Sequence, residues 1–209
     1  MFKEENITRK SNLKENDSLS SYLEHTAQQN PYAYKVFYDF IETVKPSRIL
    51  EIGTALGGFT MFLKLVCDDL KLNTNILTYD IYNRYEYESL INNNIDVRIE
   101  NVFDEHYTQV KQEVIDYIQQ DGTTVVLCDG GYKIGEFNLL AKYIKKEDFI
   151  LAHDYATNSE VFEKEINLKY WNWHEIQDLD IQDSVEKYNL ESFKPDEFQK
   201  AVWVCKIKK

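Results

Sequence analysis

The sequence predicts an α/β fold, a doubly wound and mostly parallel sheet with helices on both faces. Two observations carry this. Between Arg48 and Asp154 short apolar runs alternate with stretches of helical period, the pattern of strands joined by helical crossovers. Runs such as TVVLC at 124–128 are apolar throughout, as suits a strand covered on both faces.

Residues 1–17 are polar, rich in Lys, Glu, Asn and Ser, and read as a loosely held, flexible arm; residues 18–209 read as one domain. From Ser18 the pattern turns helical. NPYAYKVFYDFIETVKP is a helix: Asn30 can cap it, Pro31 suits its first turn, and Val36, Phe37, Phe40, Ile41 and Val44 form one stripe before Pro46 ends it. RILEIG is a first strand, followed by a helix from about Gly58 to Leu70. NILTYDI is a second strand, YNRYEYESLINNN a helix, and IDVRIENV a third strand. EHYTQVKQEVIDYIQQ is an amphipathic helix, TTVVLCD a fourth strand, FNLLAKYIKK part of another helix, and DFILAHD a fifth strand. Beyond Tyr155 the chain is less regular, and AVWVCKIKK closes it as a strand.

Composition narrows the function. With 24 basic against 36 acidic residues the net charge is −12, which opposes a phosphate backbone as the main partner, so no nucleic acid is expected. Cys67, Cys128 and Cys205 are widely spaced with no CxxC pair, and read as buried reduced thiols rather than a zinc site. No apolar run reaches membrane-spanning length, and MFKEENITRK has no secretory apolar core. A soluble, cytoplasmic chain with no membrane partner is expected.

The informative stretch is RILEIGTALGGFT, with Gly53, Gly57 and Gly58 within six positions. In an open parallel sheet, ligands bind beyond the carboxyl ends of the strands. Gly53 can make the turn out of the strand. Gly57 and Gly58 can let a ligand reach the backbone at the start of the next helix. The spacing G-x-x-x-G-G is not the G-x-G-x-x-G of dinucleotide sites. A plain strand-to-helix turn is the other reading. Asp80, at the end of the second strand, can accept both hydroxyl protons of a ribose, or can cap the following helix. Asn101, Val102 and Phe103 end the third strand, where they can flank an adenine, and Asp129 ends the fourth.

Taken together, ILEIGTALGGFT, Asp80 and VVLCDGG resemble a class I S-adenosylmethionine-dependent methyltransferase, over roughly residues 32–156. The resemblance implies a Rossmann-like, seven-stranded sheet with a reversed last strand, for which AVWVCKIK would serve. It implies S-adenosylmethionine as cofactor. Gly53, Thr54, Gly57 and Gly58 would line the loop against its methionine portion, with Glu51 orienting that loop. Asp80 and the adjacent Ile81 would meet the ribose, Val102 and Phe103 the adenine, and Asp129 would complete the cofactor site.

Asp129 and Asp154 sit at neighbouring strand ends. Two such carboxylates can share a hard divalent cation such as Mg²⁺, or can order loops as hydrogen-bond acceptors. This part of the chain resembles small-molecule O-methyltransferases of the catechol and macrocin types, which carry a metal-binding Asp after each of these strands. It departs from the first type with Tyr155 after Asp154. It departs from the second with Gly131, Tyr132 and Lys133 where a His is usual, leaving Glu136 as a candidate third ligand. His153 can be a general base or a hydrogen-bonded structural His; strand alternation keeps it from sharing a pocket with Asp154 unless the strand has ended. Lys133 can position an anionic substrate or activate a hydroxyl, or be an ordinary exposed lysine. Tyr170, Trp171 and Trp173 can wall an acceptor site, or pack the core or the face of a homodimer. The expected activity is O-methylation of a small metabolite or sugar, with Asp129, Lys133, His153 and Asp154 as the catalytic candidates. The alternatives are a protein or nucleic-acid acceptor, a nucleotide-sugar oxidoreductase on a related sheet, or a nucleoside-binding module without turnover.

Overall fold

The computed structural model describes residues 2–9 and 19–209. Before the main sheet, strands β1 (Ile7–Arg9), β2 (Ser20–Tyr22) and β3 (His25–Ala27) form a small antiparallel sheet in that order. This corrects the helical pattern expected from Ser18. Leu23 and Glu24 both take positive φ (46° and 71°), the geometry of a tight hairpin turn, and Tyr22 and Ala27 turn inward. Tyr22 packs edge-on against Phe62, with ring centroids 5.1 Å apart. The arm expected over residues 1–17 falls partly outside the described residues. Within residues 2–9, Phe2 stacks on Tyr22 and Tyr38, at 5.5 and 4.9 Å, and β1 pairs with β2, while Lys3, Glu4, Glu5, Thr8 and Arg9 are exposed.

Helix α1 (Pro31–Val44) starts as its sequence indicates, with the Asn30 side chain accepting a hydrogen bond from Tyr32 N at 2.7 Å. It stops at Lys45, which is left-handed (φ 48°). The α/β alternation follows: β4 (Arg48–Ile52), α2 (Gly58–Asp69), β5 (Asn75–Asp80), α3 (Tyr87–Asn92), β6 (Asp96–Ile99), α4 (Gln112–Gln119), β7 (Thr124–Cys128), α5 (Lys133–Leu140) and β8 (Phe149–His153). After β8 come α6 (Ser159–Val161), which runs into a π-helical turn at Phe162–Ile166, then α7 (Asp178–Lys187), β9 (Leu190–Ser192), α8 (Pro195–Ala201) and β10 (Trp203–Lys208).

The seven-stranded sheet has the order β6-β5-β4-β7-β8-β10-β9. Strands β4 to β8 pair in parallel, and β10 runs antiparallel between β8 and β9, the expected reversed last strand. Side chains alternate between two cores, as the period of a strand requires. Ile49, Val125, Leu127 and Leu151 face α1, α2 and α8, whereas Leu50, Val126, Cys128 and Ile150 face α4, α5 and α7. The chain winds outward from β4 through β5 and β6, then returns to start β7 on the other side of β4. The strand order therefore switches between β4 and β7, where such sheets open a crevice.

Three helices differ from expectation, two at their starts and one at its end. Residues 82–86 form no helix; Tyr82 N instead donates to Asp80 Oδ1 at 2.8 Å. Residues 105–111 fold as a turn around Asp104, whose carboxylate accepts from Thr108 N and Gln109 N. Helix α5 holds the start of FNLLAKYIKK but ends at Leu140, so residues 141–146 of that stretch lie outside it. Among the described residues no helix is long and apolar enough to cross a membrane.

Candidate active site

The glycine-rich turn sits at the switch point. Gly53 has φ 95°, and a Cβ there would lie 2.2 Å from the Asp129 carbonyl oxygen, so the exits of β4 and β7 press backbone to backbone. Gly57 caps α2 with φ 73°. Gly58 lines the inner cleft beside Gly57, and the space where its Cβ would stand is taken by the β3 hairpin, with Thr26 O 1.9 Å away. Beneath the turn Glu51 is buried. Its Oε2 accepts from Thr60 Oγ1 and Thr78 Oγ1, both at 2.6 Å, and Thr54 Oγ1 joins Thr78 Oγ1 at 2.7 Å.

Burial pushes the Glu51 carboxyl up to about 7, against the two threonine bonds that lower it. Burial likewise raises Glu136 to about 7. For acids raised in the folded state, the stability they contribute is full below about pH 4.5 and is lost as pH climbs through about 7. Asp154 is shifted the other way, and its effect falls below that window. We expect the Glu51→Gln variant to gain about 3 kcal/mol over the parent at pH 8 and almost nothing at pH 4.5. Denaturant titrations at the two pH values check this; equal gains at both would refute the buried-acid account.

Two clefts, each of about 280 Å³, open on either side of Gly53 and share Gly53, Ala55, Asp129 and Gly130 as a common wall. The outer cleft lies over the ends of β5 and β6, lined by Asp80, Ile81, Val102 and Phe103. Asp80 Oδ2 accepts from Ala55 N at 2.8 Å, tying the acid to the glycine turn. Phe103 is backed by Tyr107 at 4.9 Å. The inner cleft lies over β7 and β8, and Gln29, Lys133, His153, Asp154, Trp171 and Trp173 line it.

A dense polar cluster floors the inner cleft. The strand ends at His153, and Asp154 turns left-handed (φ 57°), so both side chains reach the same place despite strand alternation. His153 Nδ1 lies 3.0 Å from Asp129 Oδ1 and 3.6 Å from Asp154 Oδ1. Its ring stacks on Trp203 at 4.9 Å, and its Nε2 is buried without a partner. Burial disfavours charge on this ring, yet Asp129 and Asp154 hold its pKa above the usual value. With Nδ1 engaged and Nε2 enclosed, His153 supports Asp129 from behind. Gln29 Nε2 donates to Asp129 Oδ2 at 2.8 Å, and Gln29 Oε1 accepts from Trp203 Nε1 at 2.9 Å. Because an indole N–H can only donate, the amide orientation is fixed.

Lys133 is buried too, with Nζ 3.0 Å from Asp154 Oδ2, 3.0 Å from Gly130 O and 3.3 Å from Glu175 Oε2. Burial lowers its pKa, but Asp154, Asp129 and Glu175 outweigh that and hold it above the usual value. It stays an ammonium and is no base. Trp171 Nε1 donates to Asp154 Oδ1 at 2.8 Å, so Trp171 belongs to the core, whereas Trp173 stands exposed at the cleft mouth.

These contacts decide whether the acids fit a divalent cation. Both oxygens of Asp129 and both of Asp154 already meet Gln29, His153, Trp171 or Lys133. Both oxygens of Glu136, the candidate third ligand, accept backbone N–H groups, of Gly130 and Tyr132 at 3.1 Å. Among the described residues no group of three or more His, Cys, Asp or Glu side chains is placed to hold a metal ion. The residues do not fit Mg²⁺.

The sequence matches the family described as Rhamnosyl O-methyltransferase/CmcI over residues 17–196, most of its length. The chain belongs to that family. Methyl transfer to oxygen comes with it, and the resemblance to a class I methyltransferase is borne out. Solved structures agree in fold. CmcI in its apo form is 10% identical with a TM-score of 0.54, covering 88% of this chain and 73% of that one. CmcI with Mg and SAM is 10% identical with a TM-score of 0.55, covering 88% and 74%. An O-methyltransferase family protein from Burkholderia thailandensis is 10% identical with a TM-score of 0.51, covering 84% and 55%. No curated protein sequence matches significantly.

Relative to this O-methyltransferase family member's sequence alone, the additions are Gln29 and Glu175. Gln29 lies 100 residues from its partner Asp129, and Glu175 lies 42 residues from Lys133, so no local spacing signals either contact.

Proposed function

We propose that this protein transfers the methyl group of S-adenosylmethionine to a hydroxyl oxygen of a small molecule, a sugar being the acceptor the family description suggests. The observation that carries it is the pair of clefts meeting at Gly53 and Asp129. The outer cleft suits the nucleoside: an acid for the ribose hydroxyls at Asp80 beside an apolar wall, Val102 and Phe103, for a flat base. The glycine turn leads from there into the inner cleft, where the rest of the donor would lie. When bound, the donor supplies an electrophilic methyl on a sulfonium.

The chain's own residues then align the acceptor and take its proton. Asp129 is the carboxylate on the common wall, held on one oxygen by Gln29 and on the other by His153. We assign it the proton of the acceptor hydroxyl. The exposed indole of Trp173 at the mouth offers a face for a sugar ring. Calorimetric titration with S-adenosylhomocysteine tests the donor half. The parent should bind, and Asp80→Ala should weaken binding roughly tenfold to a hundredfold, the worth of hydrogen bonds to a charged group. No binding by the folded parent would end this reading.

A further inference from the structure

The ammonium of Lys133 sits in an oxygen cage assembled from three segments. The Gly130 carbonyl comes from the turn after β7, Asp154 from the end of β8, and Glu175 from the stretch before α7. Three donors meet three acceptors, so the cage is saturated and no N–H remains for a ligand. The other oxygens of both acids are also taken, Asp154 Oδ1 by Trp171 Nε1 and Glu175 Oε1 by the Lys133 backbone N–H at 2.8 Å. Two carboxylates and a carbonyl are ligands of the kind a hard divalent cation takes. Here a side chain fills the place.

We propose that Lys133 is a built-in cation, standing where a divalent ion would otherwise be held, so that this family member transfers methyl groups without a metal. The consequence for rate rests on the methyl-transfer reading; the cage itself does not. Lys133 acts as a positioning residue. Its charge holds Asp154 in its left-handed turn, and Asp154 in turn lies 3.6 Å from the His153 nitrogen that supports Asp129. Charge on the ammonium also offsets the crowding of Asp129, Asp154 and Glu175 in one low-dielectric floor.

Mn²⁺ binding followed by electron paramagnetic resonance, on protein free of donor and acceptor, tests the cage directly. The parent should leave Mn²⁺ free, and its transfer rate should be unchanged by EDTA. Lys133→Ala should bind one Mn²⁺ at least tenfold more tightly than the parent, and added Mn²⁺ should raise that variant's melting temperature but not the parent's. A purely structural lysine would give lost stability with no rescue by a metal. The proposal is overturned if the parent binds one Mn²⁺ whose removal slows transfer, or if a folded Lys133→Ala gains no Mn²⁺ affinity. Should Lys133→Ala not fold, the parent's Mn²⁺ titration and EDTA rate decide alone. Homocysteine-nucleoside binding, measured in the same samples, separates failure here from failure of the methyl-transfer reading.

Discussion

Asp129→Asn is expected to lower kcat for methyl transfer by about two to four orders of magnitude, the range a positioned acid or base supplies, while S-adenosylhomocysteine affinity changes by less than about threefold. The substitution keeps the shape of the side chain and removes its ability to take a proton. It also removes the charge that faces His153 Nδ1 at 3.0 Å, so the imidazole pKa should fall toward or below its usual value. Gln29 feels the change as well: its amide orientation is set by Trp203, so its N–H keeps pointing at position 129 and needs an oxygen there. The variant therefore has one satisfactory amide rotamer, with its own oxygen toward Gln29. Single-turnover kinetics beside calorimetry would separate chemistry from binding. A kcat within a factor of three of the parent would remove Asp129 from the chemistry.

The second large effect concerns the fold around the site. Gly53→Ala and Gly58→Ala should each cost at least about 3 kcal/mol, because each methyl meets backbone rather than a yielding side chain. At Gly53 the methyl would stand 2.2 Å from Asp129 O with φ at 95°, so strain and collision add. At Gly58 it would stand 1.9 Å from Thr26 O, and the β2–β3 hairpin would have to lift. Gly131→Ala is the built-in control. Nothing lies within 4 Å of its added carbon, and a change within about 0.5 kcal/mol is expected. Urea unfolding of the three variants gives the comparison. Equal stabilities would mean that the two turns are not pressed as described.

The difference among these glycines also marks how far sequence reasoning reaches. That side chains must be absent near Gly53 and Gly58 was legible from their spacing after an apolar strand. What occupies the freed space was not. At Gly58 it is a hairpin of two three-residue strands, too short for period-two alternation to register in the sequence. The parallel strands were legible because burial on both faces makes them apolar throughout, as in β7 and β8. The acids Asp129 and Asp154 were legible as strand-end residues. Their company was not: Gln29, Glu175 and Trp203 arrive through the topology of the sheet, across long stretches of chain. The alternation rule separated His153 from Asp154, and a single left-handed residue, tolerated by Asp, brought them together.

Gln29 spans from Asp129 to Trp203 on the final strand, and that strand lies between β8 and β9. During synthesis, a nascent polypeptide that has emerged only as far as β9 must leave a gap in the sheet beside β8. Its amide at position 29 then has no indole to set its direction. Strand β10 therefore has to enter the sheet before the carboxylate on the common wall meets a Gln29 amide of fixed direction, so the floor of the inner cleft takes shape only after the parallel strands before it have been made.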